Sequence, residues 1–139
     1  MNIIDQLRRD EGEILHAYQD SLGYWTIGVG VLIDGSKGGG ITPEESALLL
    51  QNRVAAKKQQ LLQMLPWAQG LDDARFGALL NMAYQLGVNG VLGFRSMLAA
   101  MQAGQWEDAK NAALNSTWAR QTPARAQRVA QQILTGEWQ

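Results

Sequence analysis

The sequence predicts an α+β fold of two lobes. A small antiparallel sheet lobe occupies about residues 13–41, and a connecting helix about 42–64. A larger helical lobe takes about 65–139 together with an N-terminal helix at 2–12. Three observations predict this. Tyr18, Tyr24, Trp25, Thr26, Ile27, Val29 and Val31 crowd a short stretch and lie either side of a polar break at residues 19–23, the pattern of a hairpin followed by a third strand. Thr42-Pro43-Glu44-Glu45 reads as a helix start, with a capping threonine, proline at the first position and glutamate at the third. Beyond Pro66 every apolar run keeps helical spacing. With 139 residues the chain is read as a single domain holding one sizeable core.

Each element follows from its own residues. Asn2 caps the first helix, Asp5 sits near the positive end of its dipole, and Gly12 stops it. The run Asp34-Gly35-Ser36-Lys37-Gly38-Gly39-Gly40 is a loop, because so many glycines lose too much entropy in a regular element. The connecting helix carries Ala47, Leu50, Val54, Leu61 and Leu65 as a stripe and ends before Pro66. Asp72 or Asp73 opens a helix through Phe76, Leu79, Leu80, Ala83 and Tyr84 that stops near Gly87. Shorter helices run from Phe94 to Ala103 and from Trp106 to Leu114. Thr122-Pro123 starts the last, which runs towards Gly136. The five tryptophans are read mostly as core, and a groove between lobes is the expected place for a polymeric ligand.

Composition narrows the function. Apolar residues make up 46% and charged residues 18%, which argues against disorder, and no apolar run approaches the ~20 residues of a membrane span. Cysteine is absent and His16 is the one histidine, so neither a disulfide, a metal site nor a cofactor is expected. Twelve basic residues against thirteen acidic give a formal charge of -1, which disfavours a nucleic-acid partner.

Glu11 stands out among the carboxylates. Leu7 and Ile4 lie four and seven residues before it on the same helical face, so spacing sets it beside apolar residues. Desolvation there would raise its pKa towards that of a general acid. The alternative is an acid on a frayed helix end, pointing to water. Asp20 lies in the hairpin turn, where aspartate commonly bonds nearby backbone, and Thr26 is an ordinary strand residue. Together the three supply what glycoside hydrolysis uses, one carboxyl to protonate the leaving oxygen and another kept ionised for water.

The same residues carry a resemblance. Leu7-Arg8-Arg9-Asp10-Glu11-Gly12, Tyr18-Gln19-Asp20 and Gly23-Tyr24-Trp25-Thr26-Ile27-Gly28-Val29-Gly30 resemble the N-terminal lobe of the phage T4-type lysozymes. The likeness continues through residues 78–87, Gly93-Phe94, Trp106, Gln121-Thr122-Pro123, Arg125 and Arg128. It implies a lysozyme-like two-lobed fold and an endolysin that cleaves the β-1,4 bond between N-acetylmuramic acid and N-acetylglucosamine in peptidoglycan, lysing bacteria. It also implies Glu11 as the acid, Asp20 and Thr26 as the residues that hold or activate water, and an inverting outcome. Gln85 and Phe94 match cleft positions. Arg125 matches the arginine that pairs with the catalytic glutamate, and Arg128 the one that pairs with Asp10. Tyr24 and Leu32, near the sheet edge, are candidates for packing on sugar rings. A nearby arginine would oppose the effect of desolvation on Glu11, so the sign of its pKa shift stays open.

The sequence departs from the family pattern in places. Val31 and Asn52 stand where relatives pair a histidine with an acid, and the glycine-rich loop is short. The near-neutral charge departs from the strongly basic relatives. The start, Met1-Asn2-Ile3-Ile4-Asp5, lacks the basic and apolar regions of a secretory signal. A monomer made in a host cytoplasm, and released to the cell wall through a lesion made by another protein, is therefore expected. No stable membrane insertion is expected. Two other readings compete: a catalytically altered relative that only binds peptidoglycan or scaffolds a particle, and a lytic transglycosylase, which needs one glutamate and no water.

Overall fold

The computed structural model describes residues 2–33 and 38–139. Its compact units are Met1–Leu49 and Leu50–Gln139. Part of the predicted glycine-rich loop, residues 34–37, lies outside the described residues.

In the first unit, helix α1 spans Ile3–Glu11. Its start is a reciprocal cap: the Asn2 side chain accepts from the Asp5 N–H at 3.0 Å, and the Asp5 carboxylate accepts from the Asn2 N–H at 3.4 Å. Gly12 ends it with φ 75°, a value glycine adopts without the Cβ penalty, and its N–H donates to the Arg8 carbonyl at 3.0 Å. Strands β1 (Ile14–Gln19), β2 (Trp25–Gly28) and β3 (Val31–Leu32) form an antiparallel sheet in chain order. Tyr18 pairs with Thr26, and Thr26 in turn with Leu32, so Thr26 lies at the centre of the register. A β1 irregularity between Ile14 and Tyr18 shifts the pairing at the far end. By its internal contacts α1 belongs with this sheet, where the sequence reading counted it with the helical lobe.

Helix α2 (Pro43–Met64) leads from the first unit into the second, with the predicted cap in place. The Glu45 N–H donates to Thr42 Oγ1 at 3.1 Å, and Glu45 Oε1 accepts from the Thr42 N–H at 2.9 Å. The predicted stripe on α2 is core only at its end. Leu61 and Leu65 are buried, whereas Leu50 is exposed and lines an open hollow with Val54, Leu80 and Tyr84.

The second unit is helical. A 3-10 turn at Pro66–Gly70 precedes α3 (Asp73–Leu92), then α4 (Arg95–Gln102), α5 (Trp106–Leu114), α6 (Thr117–Gln121) and α7 (Pro123–Thr135). The Asp72 side chain caps α3. Gly87 breaks that helix with φ 77°, at the stop the sequence predicts. The sequence reading missed α6, whose signal is Ser116: its hydroxyl accepts from the Ala119 N–H at 3.1 Å.

The core sets Leu61, Leu79, Met82, Met97, Met101, Val91 and Ile133 among fully buried alanines such as Ala78, Ala109, Ala113, Ala126 and Ala130. Small residues let α3, α5 and α7 approach closely, and flexible methionines fill the gaps that remain. Arg75 fastens α3 to the end of α7. It donates to the Ile133 carbonyl at 2.7 Å and the Leu134 carbonyl at 2.9 Å, pairs with Asp72 at 3.0 Å, and stacks 3.9 Å from the Trp106 ring centre. Trp118 is buried, and Trp67 and Trp106 pack partly against the core. Trp25 and Trp138 are exposed, which corrects the reading of the tryptophans as mostly core for those two. The Trp138 ring lies where a Cβ on Gly77 would fall, and it stands between two hollows of about 570 and 340 Å³.

Candidate active site

Glu11 is the last residue of α1, and it is exposed. This corrects the expectation of a desolvated acid: Ile4 and Leu7, which were to provide its apolar surroundings, are exposed themselves, Leu7 at 42%. The carboxyl is nonetheless closely placed. A Cβ on Gly30 would stand 3.1 Å from Glu11 Oε2, so the turn between β2 and β3 brings bare backbone against the acid. Gly30 has φ 67° and Gly28 φ 67°, and both conformations suit glycine. The neighbouring acids are taken up by arginines, Asp10 by Arg9 at 2.8 Å and Glu13 by Arg8 at 3.3 Å. Within this unit, and among the described residues, Glu11 has no ion pair.

Asp20 and Thr26 meet on the backbone of Tyr24. Asp20 Oδ1 accepts from the N–H of Leu22 at 2.9 Å and of Tyr24 at 2.8 Å. The Asp20 N–H donates to the Tyr24 carbonyl at 2.8 Å. Thr26 Oγ1 donates to that same carbonyl at 3.0 Å. The turn reading of Asp20 therefore holds for one oxygen, while Oδ2 carries none of these bonds. Thr26, at 2% exposure, is the one buried residue among the described residues of this unit. Its hydrogen is committed to the carbonyl, which leaves its lone pairs to accept. Tyr24, just before β2, and Leu32, directly opposite Thr26 in β3, are both half-buried.

Glu11 and Asp20 are thus tied near opposite ends of β2. At ~3.3 Å per residue a four-residue strand separates these anchor points by on the order of 10 Å.

In the helical unit, Gln85, Phe94 and Trp118 form one group. The Trp118 indole N–H donates to Gln85 Oε1 at 2.9 Å, and the Phe94 ring meets the Trp118 ring edge-on, centroids 5.9 Å apart at 86°. Gln85 is exposed, and Phe94, half-buried, lines a cavity of about 360 Å³ with Ser96, Asn115 and Ser116. Arg125 donates to the Asn81 side chain at 2.8 Å and to the Asn81 carbonyl at 3.1 Å, an anchor on α3 that the sequence reading missed. Arg128 is exposed. The other omission is Trp118 as the link between Gln85 and Phe94. Its signal was available, since a buried indole N–H needs an acceptor. Among the described residues no cluster of side chains could hold a metal ion, and no helix is long and apolar enough to cross a membrane.

Residues 8–133 match the model of the phage lysozyme family. The chain is 38% identical to the pre-baseplate central spike protein Gp5 of Enterobacteria phage T4, an alignment that covers 98% of this chain and 28% of that protein. The chain thus spans little more than a quarter of the spike protein's length. It is also similar to the probable T4-type lysozymes 1 and 2 of Dictyostelium discoideum. Identities are 35% and 32%, over 97% and 95% of this chain and 95% and 93% of theirs.

Proposed function

Because the chain belongs to the phage lysozyme family, we propose that it hydrolyses bacterial peptidoglycan at the β-1,4 bond between N-acetylmuramic acid and N-acetylglucosamine, and that it acts as a monomer. In this reading Glu11 gives its proton to the glycosidic oxygen as the bond to C1 breaks. Asp20, ionised, takes a proton from a water that attacks C1 from the opposite face, and the anomeric centre inverts. Thr26 accepts the water's other hydrogen, its own being engaged by Tyr24. Two protons change hands, and solvent restores both carboxyls after the products leave. A glycan laid over the exposed end of α1 would exclude water from Glu11 during transfer.

One observation supports this reading: the backbone of one hairpin carries hydrogen bonds to both Asp20 and Thr26 at Tyr24 and, at Gly30, passes close to the Glu11 carboxyl. The separated anchor points favour an interposed water over direct attack by Asp20, which needs carboxyls only about 5 Å apart. The uncommitted Asp20 Oδ2 favours hydrolysis over a transglycosylase, which has no use for it.

The test is digestion of purified sacculi, with mass spectrometry of the new chain ends and NMR of the first anomer formed. Reducing muramic acid of inverted configuration is expected. Anhydro-muramic ends, or no cleavage, would overturn the proposal. Glu11→Gln is expected to lose cleavage by more than about a thousandfold while its thermal unfolding stays near wild type, since the side chain is exposed.

A further inference from the structure

We infer that Asn89 is a modification site, at which the side-chain amide is lost as ammonia through a cyclic imide formed with the Gly90 nitrogen. An aspartyl or isoaspartyl residue is left in its place, by chemistry that stands apart from glycan hydrolysis.

The residue after the asparagine decides whether the ring can close. Its nitrogen must reach the asparagine Cγ, and a side chain there obstructs the approach. Of the asparagines in the sequence, only Asn89 precedes a glycine. Packing keeps that glycine in place: a Cβ at position 90 would stand 2.8 Å from the Cβ of Leu86.

The backbone at this point is also loosely held. Gly87, at φ 77° and ψ 160°, separates residues 88–92 from the rest of α3 as a short helix of their own. The N–H groups in the first turn of a helix have no carbonyl one turn back to bond, and Gly90 lies in that turn. A glycine at the capping position has no side chain to accept from them. So short a turn is weakly cooperative and opens at little cost.

The side chain is accessible as well. Asn89 and Gly90 are exposed, and Asn89 lines an open hollow of about 490 Å³ with Lys57, Gln63 and Met64. Among the described residues no hydrogen bond holds the Asn89 amide. Asn81, by contrast, is tied to Arg125 at 2.8 Å.

The step needs only water and a solvent base. The Gly90 nitrogen gives up its proton and attacks Asn89 Cγ. Its bond to Cγ forms, the bond from Cγ to the amide nitrogen breaks, and that nitrogen takes a proton and leaves as ammonia. Water then opens the imide on either side. Cleavage at Cγ gives aspartate. Cleavage at the backbone carbonyl gives isoaspartate, whose main chain runs through the side chain and gains a carbon.

The test is incubation of the whole protein at mildly alkaline pH and body temperature, followed by intact mass, isoelectric focusing and peptide mapping. The expected product is one mass unit heavier and carries one more negative charge on a formal total of -1. The new acid should map to residue 89 as a mixture of aspartate and isoaspartate. The native rate should lie within about thirtyfold of the rate in the urea-unfolded chain, because the short turn opens readily. Asn89→Gln needs a larger ring that closes less readily, and should slow modification at that position by at least about tenfold. A native rate below the thirtyfold bound would overturn the inference, since residues 88–92 would then be as well protected as a long helix. A mass gain that maps to other residues, or that persists at position 89 unslowed in Asn89→Gln, would overturn it equally.

Discussion

Gly30 shows how much a residue without a side chain can decide. Its φ of 67° and the 3.1 Å between its absent Cβ and Glu11 Oε2 make two separate demands for glycine. Gly30→Ala is expected to cost about 1–2 kcal/mol from the left-handed backbone. It should also lower sacculus cleavage by at least about tenfold, because the acid must move by several tenths of an ångström. A variant that unfolds earlier but cleaves normally would show that the contact is incidental. Thr26 makes the complementary case. Thr26→Val keeps the shape and removes the hydroxyl, which should cost roughly 1 kcal/mol through the lost bond to Tyr24 and abolish turnover. Thr26→Ser should restore most of both, and paired unfolding and turnover measurements separate the two effects.

At the scale of elements, what the sequence disclosed depended on how local the cause was. Asn2 with Asp5, Thr42 with Glu45, Asp72 before α3, Pro123 at the start of α7 and Gly136 at its end each act within one helical turn, and the structure bears each out. The three strands were legible for the same reason. Surroundings were not. The spacing of Ile4, Leu7 and Glu11 defines a common face but cannot say what covers it, and in the structure that face is exposed. Long-range pairings such as Gln85 with Trp118, or Arg75 with the end of α7, join residues 33 and 58 positions apart and leave no periodic trace. Arg75 yields a prediction at this scale. Arg75→Met should destabilise the protein by about 2–3 kcal/mol, since two carbonyls at the end of α7 lose their donors and Asp72 its partner. Arg75→Lys should recover only part, because an ammonium cannot span both carbonyls and stack on Trp106. Chemical denaturation checks both.

For the whole molecule, the near balance of 12 basic and 13 acidic residues bears on how it meets an anionic polymer. Without a strong field to raise the encounter rate, cleavage of sacculi should change less than about threefold between roughly 0.05 and 0.2 M salt. A steep decline across that range would mean that a local basic patch steers the approach despite the neutral total.

Trp138 has one more consequence. With 67% of its surface open, its ring covers Gly77 and separates the two neighbouring hollows. Its ring is part of the wall of both. Any methyl at position 77 would fall on that ring, which would have to move to make room. The glycine within α3 is thus what leaves room for an indole ring to lie flush against the helix.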